Sequence, residues 1–265
     1  MPFKFCESHA ADYMTQGYTI FRAIIPSSLI KDLRQVAEKG RQLARTERGP
    51  QAQRLQPVEN FDLDQRPFKD YAELPELRDA LQKVIAPNVW HGDLDMLGIL
   101  VEPADAPWCT SWHRDITATS PGVDPEEFEY VRSKRTYFNQ VNCALYDDTS
   151  TWYVPGSHLR EDTLSEREHI EKCPTLEWQG TPEPGVSDEE QEVRCLEYCR
   201  AMPRAICLHL GPGDFGLYRP LGWHLGNYAP NRIRATLHDA VWTPEVKAWY
   251  GRWTERRQEI AAADN

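Results

Sequence analysis

The spacing of apolar positions along the chain changes character near residue 93. Upstream, "YTIFRAII" (18–25) groups β-branched and aromatic residues. Behind it, Pro26 and the Ser27-Ser28 pair supply a helix-entry signal, and Leu29, Leu33, Val36 and Leu43 recur at roughly helical spacing. "LPELRDALQKVIA" (74–86) sets Leu77, Leu81, Val84 and Ile85 on one face of a second helix, and the polar, proline-containing residues 48–70 between the two read as a long loop. Downstream, short β-leaning segments punctuated by Pro, Gly and Asp follow one another: "LDMLGILVEP", "TYFNQVNCALYDD", "TWYVPGSH", "AICLHLGPGD", "FGLYRP" and "RATLHDAVW". Such a run predicts a sandwich or barrel. "SEREHIEKCP" (165–174) and "SDEEQEVRCLEYCRAMP" (187–203) break it with helical character and read as an insertion at about 160–205, with a Pro/Gly loop between them. The expected organisation is one domain over residues 1–265, mainly β, with N-terminal helices packed on the β core.

Composition narrows the function classes. A chain of 265 residues can bury a substantial core, and 40% apolar with 27% charged residues is an ordinary globular balance. The net charge of -11 argues against a non-specific hold on nucleic acid or an anionic membrane surface. Charged residues interrupt every longer apolar run, so no signal peptide or membrane span is expected, and the expected location is cytoplasmic. The seven cysteines are odd in number and scattered, which suits free thiols in a reducing compartment. Cys195 and Cys199 sit one helical turn apart, yet no second pair follows at finger spacing, so buried thiols are the reading. The Arg-rich stretch 41–54 reads as a solvated helix end and loop; the alternative is the flank of a pocket for an anionic substrate.

One constellation carries chemistry. In "SWHRDITAT" (111–119), His113 and Asp115 stand two residues apart, so on a strand end they point the same way and can reach one ion. Facial coordination of Fe(II) needs two imidazoles and a carboxylate on one side, leaving the opposite positions for co-substrate and O2. The chain offers His224 as the third ligand, after the tight "GPGD" turn (211–214). Ten residues on, Arg234 opens a predicted strand, where a guanidinium can grip a distal carboxylate with two parallel hydrogen bonds. Arg232 is the alternative for that role.

These pieces resemble the phytanoyl-CoA dioxygenase family of iron(II)/2-oxoglutarate-dependent oxygenases. The resemblance rests on "WHRD" (112–115), "NQVNCALYDD" leading into "WYVPGSH" (152–158), "GDFGLYRPLGWHLG" (213–226) and "NRIRATLH" (231–238), and extends over about residues 10–245. It implies a double-stranded β-helix, the jelly roll of cupin-like proteins. It implies His113, Asp115 and His224 as ligands of Fe(II), with Arg234 holding the far carboxylate of the co-substrate 2-oxoglutarate. Gln140 and Asn142, alternating on one predicted strand, are candidates for the inner end of the keto acid, and Thr110 is another. The implied reaction is oxidation of a C–H bond in a small molecule by O2, with release of succinate and CO2. The carboxylate at Asp115 favours hydroxylation, desaturation or epimerisation over halogenation, which in this family goes with a small residue there.

Trp112 and Trp223, each preceding a ligand candidate, read as packing that keeps water out. His158, His209 and His238 read as structural histidines. Two other classes compete: a cupin-like isomerase or lyase that needs no 2-oxoglutarate, and a non-catalytic binding protein of the same fold. Arg234 counts against the first, and the complete ligand set against the second. Substrate identity and oligomeric state are not written in the sequence.

Overall fold

The computed structural model describes residues 3–173 and 185–263. The N-terminal third contributes α1 (Glu7–Thr15), β1 (Tyr18–Phe21), α2 (Ser27–Arg48), β2 (Arg54–Leu55), α3 (Arg66–Ala72) and α4 (Pro75–Val84). Then come β3 (Gly98–Val101), β4 (Trp108–Cys109), α5 (Pro125–Arg132), β5 (Gln140–Ala144) and β6 (Thr151–Tyr153). The helices α6 (Leu164–Lys172) and α7 (Asp188–Ala201) precede β7 (Ile206–Cys207), β8 (Phe215–Tyr218), β9 (His224–Tyr228), β10 (Ala235–Asp239) and α8 (Pro244–Ala263).

The strands form a six-stranded sheet, β1-β8-β5-β10-β3-β2, and a four-stranded sheet, β4-β9-β6-β7, with antiparallel pairing throughout. Side-chain alternation explains how the larger sheet serves two purposes. Val141 and Cys143 of β5, Phe215 and Leu217 of β8, Ile99 and Val101 of β3, and Leu237 of β10 join the helices in one buried cluster. Leu33, Val36, Ala37 and Ala44 of α2 and Leu77, Leu81 and Val84 of α4 supply the opposing apolar stripes. Residues of the other parity, Gln140, Asn142, Thr236 and His238, turn toward the space between the sheets. The result is a jelly roll, mainly β with flanking α, as the resemblance implies.

α2, α4 and the β segments lie where the apolar pattern places them. The insertion is also helical, as α6 and α7; the loop expected between them lies outside the described residues. Cys195, Tyr198 and Cys199 of α7, with Met202 just past its end, pack on Cys109, Trp112, Trp152, Val154 and Leu225, so α7 backs the outer face of the smaller sheet. No metal-ligand group forms around these thiols among the described residues.

One stretch read as a loop is more ordered than expected. Residues 48–70 contain β2, a 3-10 turn at Val58–Asn60 and α3, which buries Pro67, Phe68 and Tyr71. Seven helical residues are too few for a periodic signal to stand out. The acidic stretch 120–135 holds α5, started by Pro125 and by Asp124, whose carboxylate caps the Glu127 N–H at 2.9 Å.

His91 shows how burial in this core couples stability to pH. Its ring is 6% exposed, packs edge-on to Tyr71 at 5.1 Å, and neither nitrogen has a hydrogen-bond partner among the described residues. Burial, helped by the Arg78 charge, pushes its pKa down to about 4. The unfolded chain protonates this imidazole near pH ~6.5 and the folded one does not, so stability is lost as pH falls from about 6.5 toward 4. Burial lowers His158 in the same sense, to about 3, while Asp239, raised to about 7 by burial, works in the opposite sense below neutrality. His91→Phe is expected to flatten the slope of unfolding free energy between pH ~6.5 and ~4.5 by roughly 1 kcal/mol per pH unit, measured by urea denaturation at stepped pH.

Candidate metal centre

Three sequence motifs meet where the smaller sheet ends. His113 and His224 form an isolated antiparallel bridge, each N–H donating to the other's carbonyl at 3.1 and 3.0 Å. The Asp115 N–H donates to the Pro220 carbonyl at 3.0 Å, which holds the carboxylate on the same side as both imidazoles. Gly222 shapes the entry to β9: a Cβ there would stand 2.2 Å from the Tyr153 hydroxyl and 2.9 Å from Ser157 Oγ. Only glycine lets the chain pass this closely. Ser157 of the "PGSH" turn donates its hydroxyl to the Val154 carbonyl and accepts the Trp223 N–H at 2.9 Å, bracing the residue before His224.

The Nδ1–H of His113 donates to the Ser111 carbonyl at 2.7 Å, and that of His224 to the Gly222 carbonyl at 2.9 Å. A carbonyl can only accept, so in the neutral form of each ring the lone pair lies on Nε2. Both Nε2 atoms face one carboxylate oxygen, Asp115 Oδ1, at 3.5 and 3.4 Å, and the three ligand atoms lie within 4.8 Å of one another. Burial, with the neighbouring His224, lowers the His113 pKa. For Asp115, burial acts upward, but the hydrogen bond and charge of His224 and the charge of His113 outweigh it and leave the carboxyl below its ordinary value. Two imidazoles and one carboxylate, aimed at a common point, form the donor set that suits Fe(II).

A polar cavity of about 320 Å³ runs from this point between the sheets. Thr110, Gln140, Asn142, Tyr218, His238 and Arg234 all line it. Arg234 is 4% exposed; its Nε donates to Asp148 Oδ2 at 3.0 Å and its guanidinium lies over the Tyr228 ring at 5.1 Å. Its Nη1 is buried without a partner among the described residues. A buried cationic donor left open in this way fits a ligand carboxylate. Arg232 pairs with Glu192 of α7 and its own side chain is 54% exposed, which removes it as the alternative for a buried site.

The remaining candidates are in the wall but already engaged. The Asn142 amide donates to Thr151 Oγ1 at 2.8 Å and accepts from His238 Nδ1 at 2.9 Å. The Gln140 amide donates to Asp115 Oδ2 and accepts from the Tyr218 hydroxyl at 2.6 Å. Thr110 Oγ1 accepts the Gly226 N–H at 2.9 Å. Trp112 and Trp223 pack on the outer face of the smaller sheet. The His158 Nε2–H donates to the Met14 carbonyl, and His209 pairs with Asp147 outside the cavity.

The chain can now be set beside known proteins. The phytanoyl-CoA dioxygenase (PhyH) family model matches residues 13–195. The chain belongs to that family. This family member is therefore a 2-oxoglutarate-dependent non-haem iron enzyme, and the donor set and the open Arg234 cation fit those two groups. Solved structures of similar fold include HygX from Streptomyces hygroscopicus, solved with nickel and 2-oxoglutarate bound (14% identity, TM-score 0.58, 91% of this chain and 88% of that one). The epimerase SnoN, in complex with Fe3+, alpha ketoglutarate and nogalamycin RO, is 14% identical at TM-score 0.54, over 89% of this chain and 82% of its own. EvdMO1 is 16% identical at TM-score 0.58 over 89% of this chain, which spans only 50% of its length. No curated protein sequence matches the chain.

Two residues of this PhyH-family site escape a motif-level reading. Arg114, between the ligand candidates, points away from them and ties three motifs together: its guanidinium donates to the carbonyls of Ser157 at 2.8 Å and Leu221 and to Asp162 at 2.6 Å. Asp148 is the buried counter-ion of Arg234, and also accepts from Thr236 at 2.7 Å and from the Ser150 N–H at 2.7 Å. Burial acts against its charge, and Arg234 with these donors more than offsets that, so its pKa is lowered. Asp148→Ala leaves a buried guanidinium uncompensated and is expected to cost about 3–5 kcal/mol of stability in chemical denaturation.

Proposed function

We propose that this enzyme oxidises a C–H bond of a small molecule, hydroxylation being the first expectation, with O2 as oxidant and 2-oxoglutarate converted to succinate and CO2. The observation that carries this reading is the pairing of two elements in one cavity: a convergent His113, Asp115, His224 donor set and the buried, half-open guanidinium of Arg234. His113, Asp115 and His224 hold Fe(II) in this reading, and Arg234 takes the distal carboxylate of the keto acid. When bound, the ion and the keto acid supply the oxidative decarboxylation and the C–H oxidation.

The chain's own contribution is placement. Asp148 and Tyr228 fix the Arg234 guanidinium from two sides, so the keto acid is admitted in one orientation. The carbonyls of Ser111 and Gly222 fix the imidazole tautomers before any ion arrives. Asn142 and Thr110 act by shaping the wall, since each is already hydrogen-bonded to a neighbour, and Gln140 is engaged with Asp115. Asp115 fills the third ligand position with a carboxylate, which leaves no room there for a halide and favours oxygenation or a related oxidation.

The test is succinate release with Fe(II), ascorbate and 2-oxoglutarate over a panel of candidate substrates. Chelation is expected to abolish turnover and Fe(II) to restore it, while Asp115→Ala serves as the blank; succinate formation at the wild-type rate by that variant overturns the reading. Arg234→Ala removes charge-assisted hydrogen bonds worth about 1.5–3 kcal/mol, so the KM for 2-oxoglutarate is expected to rise roughly ten- to a hundredfold.

A further inference from the structure

We propose that Gln140, oriented by Tyr218, is a positioning residue that leaves the Asp115 carboxylate a single oxygen for the metal; this rests on the metal-site reading above. The polarity of the network is forced. A carboxylate only accepts, so the Gln140 side-chain nitrogen must face Asp115 Oδ2. Its Oε1 then faces Tyr218, whose phenol must donate, at 2.6 Å.

Register explains why these two side chains meet. Gln140 and Tyr218 are Cα partners across the β5–β8 ladder, on the face turned to the cavity. The amide therefore stands on two rigid strands, and its reach ends at Asp115. Of the two carboxylate oxygens, Oδ1 faces both imidazole Nε2 atoms, while Oδ2 is occupied by the amide. A carboxylate free to rotate could offer both oxygens and take up a coordination position on the opposite face. With Oδ2 held, that face stays free for the keto acid and for O2. Gln140 thus does for the carboxylate what Ser111 and Gly222 do for the imidazoles.

The test uses Mn(II) binding to the full chain, followed by EPR without co-substrate, so that it does not depend on turnover. Gln140→Leu is expected to weaken Mn(II) binding about 10- to 100-fold, the usual range for loss of a partner behind a metal ligand. Tyr218→Phe, which frees the amide to flip, should weaken it by a smaller factor. Because Tyr218 acts through Gln140, the double variant should bind no more weakly than Gln140→Leu alone. The Mn(II) EPR spectrum should also change shape in Gln140→Leu as the carboxylate rearranges, a change that mere destabilisation does not produce. Wild-type affinity and spectrum in Gln140→Leu, or losses that multiply in the double variant, overturn the proposal. His224→Ala and Asp115→Ala in the same titration report on the metal site itself. Full Mn(II) binding by those two removes the underlying reading and this one with it; loss there with full retention in Gln140→Leu removes the clamp alone.

Discussion

The bridge between His113 and His224 is the contact on which the site depends. Two backbone hydrogen bonds join residues 111 positions apart in the chain and set two imidazoles side by side, with ring centroids 4.3 Å apart. No side-chain chemistry is needed to bring them there. The preference of extended chain for an antiparallel partner does it, and the Asp115–Pro220 hydrogen bond carries the same pairing one step further. The donor set is thus a property of the sheet's edge, and side chains refine what the backbone has already placed.

Refinement comes from a shell in which nearly every polar atom has one role. Carbonyl oxygens of Ser111 and Gly222 choose tautomers, and Arg114 binds the two segments that carry the candidate ligands to the "PGSH" turn from behind. At the far end of the cavity, Asp148 does comparable work for Arg234 by balancing its charge and fixing its plane. Both arginines are oriented by acceptors on the side away from the cavity or the ligands. Arg234 keeps its Nη1 without a partner among the described residues.

Much of this is legible in the residues themselves, and the limits have physical causes. The His-x-Asp spacing, the trailing Arg and the long stripe of α2 survive without tertiary information because period and spacing alone express them. Helices with little to bury leave no such trace. α1 buries only Tyr13, and α8, twenty residues long, buries only Val246 and Trp249. Asp148 is silent for another reason: in "YDDTST" nothing separates it from Asp147, and only the fold turns one toward Arg234 and the other toward His209. Gln140 and Asn142 were visible as inward-facing polar residues, but their engagement with Asp115 and Thr151 is a matter of register and reach.

The two imidazoles differ in one respect that bears on how the site is loaded. The His224 side chain is 7% exposed and that of His113 42%, with Asp115 at 31%. The rim of the basin therefore carries two of the three candidate ligands, His113 and Asp115, while His224 and Arg234 lie deeper in its wall. A molecule that docks over the rim would cover His113 and Asp115 and leave His224, already enclosed, unchanged.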